Sequence, residues 1–246
     1  MQDTNFEVKP DWVEAVSSFG PGTPSQEVGL SVRSPLGAPG RTVLQLGVWR
    51  LFDIAMASAI LLFILPFFLV LALFLYVSDH GPLFYGHKRV GYRGRFFRCL
   101  KFRTMHVNGD AILKHHLATN IDARREWDET RKLRNDPRIT TVGAILRKFS
   151  LDELPQLFNV IAGDMSIVGP RPVVLSEVER YGHCFEYYCK VRPGLTGIWQ
   201  TSGRSDVSFR ARVEMDLDYV LQKGIVFDLW LMAKTVPVLA FARGAY

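Results

Sequence analysis

Hydrophobic and polar positions divide the chain into stretches of different character. Before residue 41 they follow no period: Ser17 to Gly40 is dense in glycine, proline and serine, which predicts a tail, and folded structure is expected from Arg41. The tail lacks the basic start, short apolar core and small-residue cleavage site of a signal peptide. Ile54 to Ser78 then runs 25 residues without a charge. As a straight helix that is about 37 Å, against a hydrocarbon core of about 30 Å, so a membrane helix is predicted. Pro66 sits mid-way, where it removes a backbone donor and crowds the preceding turn, bending or breaking the helix. From Gly81 to Met105, aromatic and basic residues roughly alternate between glycines, predicting short strands joined by turns. Asp110 to Arg134 is charged and helix-favouring, and predicts a solvated helix. Ile225 to Ala242 is apolar apart from Asp228 and Lys234 and is interrupted by Pro237, which suits an interfacial helix.

Charge refines this picture. The formal net charge is +6 and the pI about 9.3, so the partner sought is anionic: a membrane surface, a nucleotide or a nucleic acid. Both flanks of the apolar segment are basic, with Arg33, Arg41 and Arg50 before it and Lys88, Arg89, Arg93, Arg95 and Arg98 after. The positive-inside tendency puts both flanks in the cytoplasm, which a re-entrant hairpin satisfies; on charge alone a straight, kinked span remains open. Arginines interleaved with aromatics also suit single-stranded nucleic acid, or simply an anionic bilayer. Cys99, Cys184 and Cys189 have no metal-ligand spacing and read as reduced thiols. His115 and His116 are adjacent, cannot share a helical face, and suggest no metal site.

The densest chemistry lies in Leu146 to Pro172, "LRKFSLDELPQLFNVIAGDMSIVGPRP". Ser150 and Glu153 have capping-box spacing at the head of a helix, placing Asp152 and Glu153 in its first turn, where the dipole would keep a carboxylate ionised. Arg147 and Lys148 precede them, and Arg171 stands between two prolines in a stiff loop. Acids flanked by fixed arginines suit a magnesium-bound diphosphate. These residues by themselves leave capping and catalysis both open. "RPGLTGIWQTSGR", Arg192 to Arg204, is turn-rich, with Gly194, Gly197 and Gly203 permitting close backbone approach. It reads either as a nucleotide or lipid-headgroup loop or as a plain connector.

The succession of a membrane hairpin, "KFRTM", "NDPRIT", "LRKFSLDELPQL", "GDMSIVGPRP" and "RPGLTGIWQTSGR" resembles the bacterial sugar transferase family, the monotopic polyprenyl-phosphate phosphoglycosyl transferases. The likeness runs from about Arg50 to the C-terminus. Within the family it is closest to the short galactosyl- and glucosyl-phosphate transferases that initiate exopolysaccharide repeats, especially the succinoglycan-type galactosyl enzyme. His87 departs from the glutamine that many members carry before "RVG", and is given no role.

The resemblance implies Asp152 and Glu153 as a catalytic dyad, with Asp152 the nucleophile, and a magnesium ion held by the same two acids. It implies Arg147 and Arg171 as substrate phosphate-binding residues, Pro66 as the break of a re-entrant membrane helix, and Asp53 as a structural acid. The expected fold is α-rich α+β: a tail over 1–40, a re-entrant helix over 41–80, and a cytosolic catalytic domain over 81–246 ending in an interfacial helix. The expected reaction moves hexose-1-phosphate, galactose favoured and glucose the alternative, from a UDP-hexose to undecaprenyl phosphate, releasing UMP. The expected location is the cytoplasmic face of the bacterial inner membrane, with no nucleic-acid partner. Readings from other classes are a membrane-tethered nucleic-acid-binding protein, which leaves the dyad idle, and a non-catalytic scaffold for polysaccharide assembly.

Overall fold

The computed structural model describes residues 43–79, 81–130, 133–202 and 207–240; the expected tail over 1–40, Arg41 and Gly203 lie outside them. The fold is helix-rich α+β. A first helix, α1 (Val43–Asp79), leads into an antiparallel hairpin of β1 (Phe84–Val90) and β2 (Phe96–Phe102). The aromatic-basic stretch thus forms the strands and glycine-rich turn expected of it. Much of its aromatic surface is spent on packing: Phe102 is fully buried, and Phe96 and Phe97 are half-buried.

The charged stretch that follows is two helices rather than one, α2 (Gly109–Thr119) and α3 (Ile121–Thr130). Asn120 separates them because its backbone is extended and its side-chain oxygen accepts from Ala123 N at 3.0 Å, opening α3 instead of continuing α2. Helix α4 (Thr141–Lys148) is capped by Thr140, whose hydroxyl accepts from Gly143 N. A single 3-10 turn (Leu151–Glu153) then leads to α5 (Gln156–Ala162), with Pro155 just before its first residue. The remaining elements are β3 (Ser166–Val168), α6 (Leu175–Tyr181), α7 (Cys184–Tyr188), β4 (Gly194–Thr196), α8 (Ile198–Ser202), α9 (Phe209–Gln222) and α10 (Ile225–Ala240). Strands β3 and β4 pair in parallel, Ser166 opposite Gly194 and Val168 opposite Thr196.

Helix α1 does not divide at Pro66. The proline lies inside one continuous helix of 37 residues, so the two arms of the expected hairpin are not separate elements. Only the Leu62 carbonyl loses its helical donor there, and tertiary contacts hold both halves. Arg50 donates to the carbonyls of Val160, Ile161 and Met165, Asp53 accepts from Ser166 Oγ at 2.6 Å and Ile167 N at 3.0 Å, and Ala57 is fully buried. Past the proline, Phe68, Leu71 and Leu75 pack with Phe102 and Leu146, while Leu61 and Ile64 bridge the two clusters. The buried positions recur about every three and four residues, with Ala57, Ile64 and Leu71 seven apart, as on the seam of a coiled coil. Asp53 accordingly lies well inside the helix and not at its start, and its two buried hydrogen bonds fit the structural role expected of it.

The other faces of α1 are apolar and bare: Leu62 is 70% exposed, Phe63 87% and Val70 68%. Gly47–Val77 is long and apolar enough to cross a membrane, and only 17% of its most apolar window is buried inside the protein. The core helix of a water-soluble protein is mostly buried, so α1 is read as membrane-associated. Helix α10 repeats the arrangement more weakly. Asp228 and Leu231 are buried on one side, while Val226, Leu229 and Trp230 are exposed on another.

Candidate active site

The β1–β2 register decides which side chains share a face. Tyr85 lies opposite Lys101, His87 opposite Cys99 and Arg89 opposite Phe97, so this set points one way and Phe84 with Phe102 points the other. The Phe84–Phe102 face meets Phe68 of α1, at ring distances of 6.3 and 4.9 Å. The opposite face supplies Arg89, Cys99 and Lys101 to a small cleft, completed by Glu153, Gln156, Arg171, Pro172, Gly194 and Leu195.

Helix α5 positions the acids. Asn159 accepts from Leu100 N at 2.9 Å and donates to Arg98 O at 2.8 Å, so its side chain completes the free edge of β2 as another strand would. The 3-10 turn ahead of α5 is thereby laid over the hairpin. Lys101 Nζ lies 2.7 Å from Glu153 Oε1 and 3.5 Å from Asp152 Oδ2, and Arg171 Nη2 lies 3.6 Å from the same Glu153 oxygen.

The expected capping box does not form. Ser150 adopts a left-handed backbone conformation (φ 57°) and makes no side-chain cap; the acids precede α5 instead of occupying its first turn. Lys101 is their partner in place of orphan amides. Nor does a helix end keep Asp152 ionised. Burial raises its pKa, with Lys101 opposing, Glu153 adding to the rise and Arg147 opposing. A buried carboxylate held by one lysine is less solvated, hence a more reactive oxygen.

The two expected arginines are placed differently. Arg171 lines the cleft in a loop fixed on both sides: Gly194 N donates to Pro170 O at 2.7 Å, and Val90 N donates to Val173 O at 2.9 Å. Arg147 is outside the cleft lining. Its Nε donates to Thr104 Oγ1 at 2.9 Å behind Asp152, and burial lowers its pKa. In "NDPRIT", Asp136 and Arg138 pair with each other at 2.6 Å, which makes that motif a structural turn. Close backbone approach is real at Gly194 and Gly197, where an added Cβ would lie 2.0 Å from Gly169 N and 2.4 Å from Gly169 O. Two residues of the site, Lys101 and Arg89, had no role assigned from sequence. Both lie in basic runs, and only the strand register distinguishes them from their neighbours.

A cation-lined cleft with Glu153 in its wall and Asp152 next to it but outside the lining, carried by a domain with a bare apolar helix, is the arrangement of an enzyme acting on phosphorylated substrates beside a membrane. Residues 44–242 match the family model "Bacterial sugar transferase", and the chain belongs to that family. It is 52% identical over 197 residues to "Exopolysaccharide production protein ExoY" of Rhizobium meliloti, covering 80% of this chain and 87% of that one. It is 50% identical over 197 residues to "UDP-galactose-lipid carrier transferase" of Erwinia amylovora, covering 80% of this chain and 41% of that one. Against "Undecaprenyl-phosphate galactose phosphotransferase" of Salmonella typhimurium it is 48% identical, covering 80% of this chain and 41% of that one.

Proposed function

We propose that this chain transfers hexose-1-phosphate from a UDP-hexose to undecaprenyl phosphate, releasing UMP, through a covalent phosphosugar on Asp152. The observation that carries the reading is the Asp152–Glu153 pair bridged by Lys101, beside a cleft that Lys101 and Glu153 line together with Arg89 and Arg171. Galactose is the favoured hexose, because two relatives of about 50% identity are named for galactose transfer.

An Asp152 oxygen attacks the phosphorus that bears the sugar, and the bond to the second phosphate breaks, its electron pair leaving with UMP. The lipid phosphate then attacks the same phosphorus and returns the carboxylate. Dividing the reaction in two spares the enzyme from bringing two anionic substrates together at once. Lys101 and Arg171 offset the charge gathering on the phosphoryl oxygens, and Arg147 supports Asp152 from behind.

Among the described residues no group of three or more His, Cys, Asp or Glu side chains forms a protein-only metal site. Magnesium usually takes one or two carboxylates and completes its shell with water and substrate phosphate, which two adjacent acids fit. Asp152 and Glu153 are the residues that would hold it, and it would supply charge neutralisation to the diphosphate.

We place the enzyme at the cytoplasmic face of the inner membrane, with both ends of α1 on that face and α10 at the interface. The continuous helix dips into one leaflet by a bend at Pro66 and not by division into two arms. Contacts of both halves of α1 with one domain support this, since a crossing helix would carry one half away from a domain on the other side.

The test uses full-length protein in detergent, magnesium, and UDP-hexose labelled in the sugar, without lipid. Wild type is expected to retain label through a rapid quench and to release it to added polyprenyl phosphate. Asp152→Asn is expected to stay folded, retain none, and lose turnover by several orders of magnitude. Product formed by a wild type that never holds label would sink the covalent step, and absence of UMP release would sink the whole reading.

A further inference from the structure

Arg89 is the cation in this cleft that the acid pair does not explain. Its side chain is only 15% exposed, and its nearest carboxylate is Glu177 at 3.9 Å. Nη1 donates to Pro172 O at 3.0 Å, and Nη2 to His87 Nδ1 at 3.3 Å, which requires the neutral Nε2–H tautomer. Of the five N–H donors of a guanidinium, these contacts use two, so three make no hydrogen bond among the described residues. Burial, and next the charge of Arg171, push its pKa down. A buried cation beside a second cation, with its nearest carboxylate at 3.9 Å and donors to spare, is built for an anion supplied from outside.

Its position says which anion. Lys101 pairs with Tyr85, four residues along β1 from Arg89, so the two backbones stand about 13 Å apart at a rise of about 3.4 Å per residue. Their long side chains line one cleft together with Glu153 and Arg171. A diphosphate with its sugar-bearing phosphorus at Asp152, beside Lys101 and Arg171, leaves Arg89 for its other phosphate.

We propose that Arg89 binds this outer phosphomonoester: the phosphate of the departing nucleoside monophosphate in the first half-reaction, and that of the incoming lipid in the second. The inference rests on the transfer reaction proposed above. When the bond between the phosphates breaks, the electron pair stays on the outer phosphate, and Arg89 neutralises the dianion that results. His87, the Pro172 carbonyl and Glu177 hold the guanidinium in the cleft wall, so His87 acts as a positioning residue.

Calorimetric titration of UMP into the detergent-solubilised full chain reads Arg89 without turnover, so a failure of the transferase reading does not obscure it. Arg89→Gln is expected to raise the Kd for UMP about 10- to 100-fold, the loss typical of charge-assisted hydrogen bonds. It is expected to leave the Kd for hexose-1-phosphate within about twofold. Arg89→Lys keeps the charge and stem but loses the fork, and should weaken UMP several-fold. UMP affinity unchanged in a folded Arg89→Gln protein would overturn the proposal. If that variant melts below the assay temperature, unchanged affinity in Arg89→Lys overturns it instead. A short-chain polyprenyl phosphate is expected to compete with UMP in wild type, and non-competitive behaviour would remove the lipid half of the assignment.

Discussion

Replacing Gly194 with alanine adds one methyl group to the backbone crossing that fixes Arg171. An ideal Cβ there would sit 2.0 Å from Gly169 N, 2.5 Å from Gly169 Cα and 2.6 Å from Thr196 O. Ordinary contact begins near 3.4 Å, so the two strands must separate by about 1.4 Å, and every close atom is backbone that no rotamer change can move. The displaced segment is Gly169–Pro170, the residues immediately before Arg171, and the Gly194 N to Pro170 O bond that anchors them is lost. Overpacking of this kind typically costs about 1–3 kcal/mol of stability, and misplacing a substrate-binding group by about 1 Å costs roughly 100-fold in rate. Gly194→Ala should therefore lower kcat/KM for UMP release by about two orders of magnitude in protein that still shows a cooperative melt. Gly224→Ala, where the added Cβ would meet only Gln222 O at an ordinary 3.6 Å, should leave the rate unchanged. A Gly194→Ala enzyme within threefold of wild type would show that the loop position is not what sets the rate.

Three further outcomes are expected. Asp53→Ala strips the partners from buried Ser166 Oγ and Ile167 N and should cost about 2–4 kcal/mol in denaturant unfolding; a change below about 0.5 kcal/mol would refute the anchoring of α1 to β3. Burial lifts the Asp216 pKa to about 7, against the Tyr181 hydroxyl and the charges of Arg171 and Arg212. The folded state then holds a proton the unfolded chain has released, so the contribution of this group is greatest at low pH and falls by up to about 1.4 kcal/mol per unit between roughly pH 4 and 7, levelling off above; equal slopes for wild type and Asp216→Asn would disprove this. Single cysteines at Gly47 and Arg95, in a background lacking native cysteines, should both resist an impermeant maleimide on intact cells, and labelling at Gly47 alone would demonstrate a crossing helix.

What could be read from the sequence is what is contiguous in it. The uncharged run of α1, the glycine turn between β1 and β2, the adjacent acids and the proline-flanked Arg171 each announce themselves within a few residues. Lys101 does not, because its meeting with Glu153 needs a strand register and a helix laid along that strand by Asn159, whose side chain resembles any polar residue of an amphipathic helix. The capping box failed for a related reason: the Ser-x-x-Glu spacing is local, but a lysine 52 residues away bonds to Glu153 instead. Likewise the sign of the Asp152 shift depends on burial by distant segments, which no local charge pattern reveals.

The seven-residue recurrence along α1 has a consequence for how this segment can vary. Because Arg50, Ala57, Ile64, Phe68, Leu71 and Leu75 all meet one domain along a single stripe, a residue inserted or deleted near Pro66 would rotate everything beyond it by about 100°. Phe68, Leu71 and Leu75 would then leave Phe102 and Leu146, and side chains of a neighbouring face, unmatched to that surface, would replace them. Apolar residues on the outward faces are held less strictly, since Leu62, Phe63 and Val70 are mostly exposed. Drift in α1 is thus confined to spelling, while its length is held fixed by the domain it lies against.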